Sequence, residues 1–201
     1  MFGLGGKREI LGVDIGSSSV KLVQLQPVRS GYKLAALGSA PLPPEAVVDH
    51  TIMDAGAVVE ALKGLLTNQK IKAKHVATAV RGHAVIVRKI QLPQMEEDEL
   101  ESSIQWEAEQ YIPFDISEVY LDYQLLGQVE GDPNQMEAVL VAAKRDFVDD
   151  YLSVFVEAGL EAAVVDVDCF ALESAFEANY GVPEETVVLV DIGASSFSVN
   201  I

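Results

Sequence analysis

Two short stretches of this chain carry the residue types that a phosphate group requires. Val13-Asp-Ile-Gly-Ser-Ser-Ser19 and Val190-Asp-Ile-Gly-Ala-Ser-Ser196 agree at six of seven positions. In the first, Gly16 lets backbone approach a ligand with no Cβ in the way. Ser17, Ser18 and Ser19 add N–H and O–H donors, each charge-assisted bond contributing about 1.5–3 kcal/mol. Asp14 is placed to hold magnesium through water, because that ion sheds its hydration reluctantly. Lys21 brings a positive charge over the phosphates. In the second stretch Asp191, Gly193, Ala194, Ser195 and Ser196 take the corresponding places, with Asp191 as the second magnesium carboxylate. Neither is a P-loop, since GxxxxGK[ST] is absent and each turn leads to a strand pattern instead of a helix. A lone Asp-Ile-Gly-Ser is commonly an ordinary β-turn, and structural hairpins of duplicated domains are the plainer reading. Two copies after equivalent apolar runs, 10–13 and 187–190, favour one shared ligand, the phosphates of a nucleotide with magnesium.

The elements that would present these turns follow from periodicity. Residues 9–15 read as a buried strand, 19–26 as a half-buried one, and 32–39 as a third after the turn at 29–31. Pro41-Leu-Pro-Pro44 is a stiff extended connection. Asp54 caps a helix over about 55–68 with Val58, Val59, Leu62, Leu65 and Leu66 on one face, and 75–80 is a strand. The segment 83–143 differs in character: a strand to Leu92, an acidic helix over about 96–111 stopped by Pro113, and strands over 119–126 and 136–143 about a Gly131-Asp-Pro133 turn. A helix over about 146–158 follows, with Phe147, Tyr151, Leu152 and Phe155 on one stripe and Gly159 as its left-handed stop. A strand at 161–167 and a helix at 169–180 complete the core, and 181–185 links to the second turn. That turn is expected to lack the partners a hairpin needs, because the sequence stops at Ile201. The domain reading is 1–82 plus 144–181 as the core, 83–143 as an inserted subdomain, and 182–201 as the start of a second domain.

In the acidic helix, Leu100, Ile104, Ala108 and Tyr111 share a narrow sector that should pack on strands, with Glu107 at its edge. Trp106 projects from nearly the opposite side, among Ser102, Glu109 and Gln110. A large aromatic on a polar face either packs against the main domain or the Ile112-Pro-Phe114 turn, or anchors a partner peptide.

The remaining composition narrows the function. With 31 acids against 14 bases the formal charge is −17, which repels nucleic acid and favours basic partners or cations. The single cysteine, Cys169, excludes a disulfide framework. No apolar run approaches the roughly 20 residues that span a bilayer. Met1–Arg8 has no apolar signal core and is expected to be a frayed terminus. The chain therefore reads as cytoplasmic. His50, His75 and His83 fall in separate elements, which argues against a metal site of histidines. Lys70, Lys72 and Lys74 read as a solvated turn.

The two turns resemble the phosphate hairpins of the actin and sugar-kinase superfamily, and the spacing of Asp14, Gly16, Ser17 and Lys21 is similar to actin's first phosphate loop. The insertion after the first domain's fourth strand resembles the division protein FtsA. Four passages are most similar to the PilM family, the cytoplasmic actin-like proteins of the type IV pilus machine. They are Leu11-Gly-Val-Asp-Ile-Gly-Ser17, Pro41-Leu-Pro-Pro44, Val190-Asp-Ile-Gly193, and Trp106-Glu-Ala-Glu-Gln-Tyr-Ile-Pro-Phe114 with Glu118-Val-Tyr-Leu-Asp122. The resemblance covers the whole chain and about the N-terminal half of a family member. It implies an α/β fold: an actin-like, ribonuclease-H-like core, an inserted β-α-β-β subdomain of FtsA type, and a second domain truncated at Ile201.

It also implies ATP and magnesium as ligands, and a groove beside the inserted subdomain that takes the N-terminal cytoplasmic peptide of the inner-membrane protein PilN. The groove positions here are Trp106, Glu107, Glu109, Tyr111, Ile112, Pro113 and Phe114. Other pilus motor components are further candidate partners, membrane association is indirect, and twitching motility is the process served. Asp166 and Asp168 end a strand facing the phosphate site by the superfamily pattern. Asp168 is read first as a helix cap and second as a water-orienting catalytic carboxylate. ATP binding is thus expected and efficient hydrolysis is not. The competing functions are a small-molecule kinase of the same superfamily and an FtsA-like filament former.

Overall fold

The computed structural model describes residues 9–29 and 31–201. The expectations for Met1–Arg8 and for Ser30 in the turn at 29–31 lie outside the described residues. In chain order, strands β1 (Ile10–Ile15), β2 (Ser19–Val28) and β3 (Gly31–Pro41) form a meander. A two-residue-stranded hairpin follows, β4 (Val47–Val48) and β5 (Thr51–Ile52), then helix α1 (Ala55–Asn68) and β6 (His75–Val80). Next come β7 (Val85–Pro93), α2 (Glu97–Ala108), β8 (Val119–Val129) and β9 (Asp132–Lys144). The chain continues through α3 (Arg145–Glu157), β10 (Glu161–Val167), α4 (Asp168–Tyr180), β11 (Leu189–Ile192) and β12 (Phe197–Asn200). Two compact units result, one of residues up to 81 with 150–201, the other of 82–149.

The first unit is built on a sheet of order β10-β6-β1-β2-β3. β1, β6 and β10 run parallel, while β2 and β3 are antiparallel to their neighbours. This order agrees with the actin-like core that the resemblance implies. Alternation puts Leu11, Val13, Val20, Leu22, Val76 and Val80 on a buried face, and α1 buries Val58, Val59, Leu62 and Leu65 against β2 and β3. Asp54 starts α1 as expected, its carboxylate accepting from the Ala57 N–H at 2.9 Å. The single buried polar side chain among the described residues, Thr78, donates to the Val13 carbonyl at 2.9 Å and so costs little.

The second unit is the β-α-β-β block: an antiparallel sheet of order β7-β9-β8 with α2 against it. Leu100, Ile104 and Ala108 of α2 pack with Ile90, Leu92, Met136, Ala138 and Leu140.

Several boundaries differ from the sequence expectation. α2 ends at Ala108, since Tyr111 and Ile112 both bond the Ala108 carbonyl in a closing turn before Pro113. The sector therefore swaps members: Ile112 is buried and Tyr111 is exposed. In α3, Val154 is fully buried where the stripe had Leu152, which is only half-buried. The β8–β9 turn lies at Glu130-Gly131, with Gly131 at φ +85°, and Pro133 falls in β9 beside a register shift where no ladder N–H is needed. The second Asp-x-Gly-x-Ser turn does form a paired hairpin, β11–β12, with Leu189 opposite Asn200 and Ile192 opposite Phe197. Its closure is local, four turn residues between two strands, so the ladder needs nothing further along the chain.

Candidate functional site

The carboxyl ends of the parallel strands β1, β6 and β10 share one edge of the first unit's sheet, the edge where α/β folds place ligands. β1 delivers Asp14 and the turn Gly16–Ser18 there, and the Gly16 N–H closes that turn on the Ser19 carbonyl at 3.0 Å. β11 delivers Asp191 and a turn of the same form, in which the Gly193 N–H donates to the Ser196 carbonyl at 2.8 Å. A side chain would crowd both turns. A Cβ at Gly16 would lie 3.2 Å from the Ser19 carbonyl oxygen, and one at Gly193 would lie 3.0 Å from that of Ser196.

The two turns touch. Ser195 Oγ donates to Ser17 Oγ at 2.9 Å, and Ser196 Oγ lies 3.5 Å from His50 Nε2. Behind the second turn, Asn200 Nδ2 donates to the Cys169 carbonyl at 3.1 Å. Each turn's carboxylate has a base. Lys21 sits opposite Asp14 in the β1–β2 register and its ammonium is 2.7 Å from Asp14 Oδ2. Asp191 sits opposite Ser198, and its base comes from elsewhere: Arg81, the residue after β6, places Nη1 2.9 Å from Asp191 Oδ2 and 3.5 Å from Asp168 Oδ2.

Arg81 and its surroundings were not legible as site residues. Its Nε donates to His50 Nδ1 at 3.2 Å. His50 occupies a tight two-residue turn in which Asp49 (φ 47°) and His50 (φ 68°) are both left-handed. The Tyr151 hydroxyl donates to the His50 carbonyl at 2.8 Å. Burial, and next the negative charge of Asp14, push the Tyr151 phenol up to about 12 against the opposing Arg81, so it stays a neutral donor. The available signal was positional: a base directly after a buried parallel strand, at the same sheet edge as Asp14.

Asp168 is the first residue of α4, and Val167 takes the cap position. Its Oδ1 accepts from the Cys169 N–H at 2.8 Å while Oδ2 faces Arg81. Asp166 bonds its own neighbour, the Val167 N–H, at 2.7 Å, and joins Asp14 and Lys21 in lining a cavity of about 430 Å³ floored by Gly12, Ala77 and Ala79. Burial, and then Asp168, raise the Cys169 thiol above its ordinary value, which disfavours the thiolate.

The donor set fits a polyphosphate. Two glycine turns with hydroxyls face each other, flanked by one ammonium and one guanidinium. Among the described residues no three ligating side chains converge on a metal position. Asp14 and Asp191 put one carboxylate at each turn, too few to replace the water shell of a cation such as magnesium.

The positions of the Trp106 passage lie in the second unit and divide in two. Ile112 is buried, and Phe114 packs against the same core with Lys144 Nζ 4.6 Å from its ring centroid. Trp106 is 73% exposed, and Glu109, Tyr111 and Pro113 are exposed with it, while Glu107 is half-buried. The first pair shapes the unit, and the second set forms a surface. No helix among the described residues is long and apolar enough to cross a membrane.

A family model described as type IV pilus assembly protein PilM matches residues 12–201. A chain of the PilM–PilN type IV pilus biogenesis complex superposes with a TM-score of 0.84 at 35% identity, covering 96% of this chain and 58% of that one. The cytoplasmic domain of EpsL, an inner-membrane component of the type II secretion system of Vibrio cholerae, matches at a TM-score of 0.53 and 14% identity, over 82% of this chain and 59% of that one. It shares the fold. A Bacteroides thetaiotaomicron protein with an actin-like ATPase fold and unknown function gives 0.42 and 10%, over 96% and 65%. The chain thus spans a little over half the length of the PilM chain it matches.

Proposed function

Because the chain belongs to the PilM family of type IV pilus assembly proteins, we propose that it is an ATP-binding scaffold recruited to the inner membrane by the N-terminal cytoplasmic peptide of PilN. The observation that carries the nucleotide half is the meeting of the two turns, Ser17 to Ser195, with Lys21 and Arg81 beside them. In this reading the N–H and O–H groups of Gly16–Ser19 and Gly193–Ser196 bind the phosphate chain from two sides. Asp14 and Asp191 would hold a hydrated magnesium ion, whose chemistry there would be to neutralise phosphate charge. Lys21 orients the phosphates and keeps Asp14 in place.

Asp168 is not poised as a general base, since its Oδ1 accepts from the Cys169 N–H and its Oδ2 faces the Arg81 guanidinium, so both oxygens are already engaged. Binding, and not turnover, is what this site is built for, which places the kinase reading second. The peptide half rests on Trp106. The family's PilN-bound relative supports the partner, and an exposed tryptophan on an acidic helix suits a peptide with basic and apolar residues. The protein would be cytoplasmic and peripheral to the inner membrane.

The test is calorimetric titration of the full-length protein with magnesium-ATP and with a PilN N-terminal peptide. Both bind, and Asp14→Ala loses nucleotide affinity while keeping its circular dichroism and its peptide affinity. A protein that ignores the peptide both with and without ATP is not a PilN-recruited scaffold. Unchanged ATP affinity in Asp14→Ala would remove that residue from the site.

A further inference from the structure

The two turns are near copies in sequence, but their counter-ions have different origins. Lys21 belongs to the same hairpin as Asp14 and lies opposite it in register. In the second hairpin that register position is Ser198, which has no charge to give. Arg81 fills the role from the end of β6, and its side chain is 23% exposed against 56% for Lys21. One guanidinium therefore meets Asp191, Asp168 and His50 at once. Its planar fork allows this, since separate N–H vectors point at separate partners, which an ammonium on a flexible stem does not reproduce.

From this geometry, and resting on the nucleotide reading above, we propose that Arg81 is the positioning residue that sets the second turn against the first, and the second cation of the site for a nucleoside triphosphate. Three observations converge on it. Arg81 reaches the second hairpin through a short ion pair, at 2.9 Å. It fixes His50 through Nε, and His50 in turn faces Ser196 of the same turn. Its charge is needed, because Asp14, Asp168 and Asp191 together would repel a polyphosphate that Lys21 alone could not balance. A carboxylate that shares its guanidinium with an incoming phosphate keeps both anions within hydrogen-bonding reach of one cation. Arg81 would thus tie phosphate occupancy to the position of residues 193–196.

Full-length protein carrying Arg81→Gln, Arg81→Lys or Lys21→Gln tests this against wild type. Two readouts are needed: ATP affinity by calorimetry over a series of salt concentrations, and hydrogen–deuterium exchange of residues 189–200 without nucleotide. Arg81→Gln is expected to speed exchange at 193–196, weaken ATP about ten- to a hundredfold, and flatten the salt dependence of affinity. Arg81→Lys should restore the salt dependence and leave exchange fast. Lys21→Gln should weaken ATP without speeding exchange at 193–196. If Arg81→Gln speeds exchange but binds ATP with wild-type affinity and salt slope, Arg81 is a structural peg and the proposal fails. Wild-type exchange in Arg81→Gln overturns the positioning role outright. Wild-type protein that binds no ATP refutes the nucleotide reading itself, a result distinct from either.

Discussion

Replacing Trp106 with alanine separates an anchor from a core residue, because the two make opposite demands on stability and binding. Trp106 is 73% exposed, so only about a quarter of an area of roughly 250 Å² is withdrawn from water. At about 25 cal/mol per Å² that is about 1.6 kcal/mol. Alanine retains part of it, and the unfolded chain already hides some. The higher helix propensity of alanine returns a few tenths of a kcal/mol. Trp106→Ala should therefore change folding stability by less than about 1 kcal/mol. Two residues earlier, Ile104 is 6% exposed in the cluster with Ile90, Leu92 and Leu140, and Ile104→Ala should cost about 2–5 kcal/mol. Binding should behave the other way. An aromatic anchor removed from an interface costs about 2–4 kcal/mol, about thirty- to a thousandfold in affinity. Urea unfolding and calorimetric titration with the PilN peptide, both on the full-length protein, give the two numbers. Peptide affinity unchanged in Trp106→Ala would refute the anchor. So would a stability loss of about 3–5 kcal/mol, the cost of truncating a buried tryptophan, because the ring would then be part of the protein's own packing.

Two further perturbations address the nucleotide edge. Gly193→Ala puts a methyl 3.0 Å from the Ser196 carbonyl oxygen that closes the turn. ATP affinity should fall about tenfold or more while overall stability moves by about 1 kcal/mol; an unaffected affinity would show that this turn does not touch phosphate. Tyr151 reports on the same neighbourhood through pH. Its folded phenol holds its proton to about 12 against 10.0 in the unfolded chain. Its contribution is therefore whole below pH 10 and is lost as pH rises towards 12, by about 2–3 kcal/mol. Denaturation at pH 9 and pH 11 should show that slope in wild type and not in Tyr151→Phe, and equal slopes would contradict it.

Local features were legible and non-local ones were not. β1 and β6 show as short apolar runs and β2 as alternation, the Asp54 cap and the Gly159 stop (φ +79°) show as single residues at fixed offsets, and each is set by neighbours in sequence. The β4–β5 hairpin did not show. Its strands are two residues each, its turn is Asp49-His50 in place of an Asn-Gly signal, and the left-handed His50 is braced by a Tyr151 hydroxyl from far along the chain. The same divide runs through the site. Asp14 to Lys21 is contiguous chemistry and could be read directly. Arg81 acquires its meaning from His50, Asp168 and Asp191, which only the fold brings together. In α2, extending the wheel past the true helix end at Ala108 exchanged Tyr111 for Ile112.

The formal charge of −17 would by itself argue against any anionic ligand. Its distribution removes the objection. At the nucleotide edge each turn carboxylate is matched by a base, Asp14 by Lys21 and Asp191 by Arg81, so an entering polyphosphate meets paired charge. Along residues 94–118 the sequence has no lysine or arginine, and the acids beside Trp106 are left without a base from their own segment. Each turn carboxylate has a base where an anion would bind, and the helix acids have none of their own where a basic peptide would dock. On the proposed function, that asymmetry would suit a nucleotide at the repeated turns of one compact unit and a cationic peptide at the base-free helix, with its exposed tryptophan, of the other.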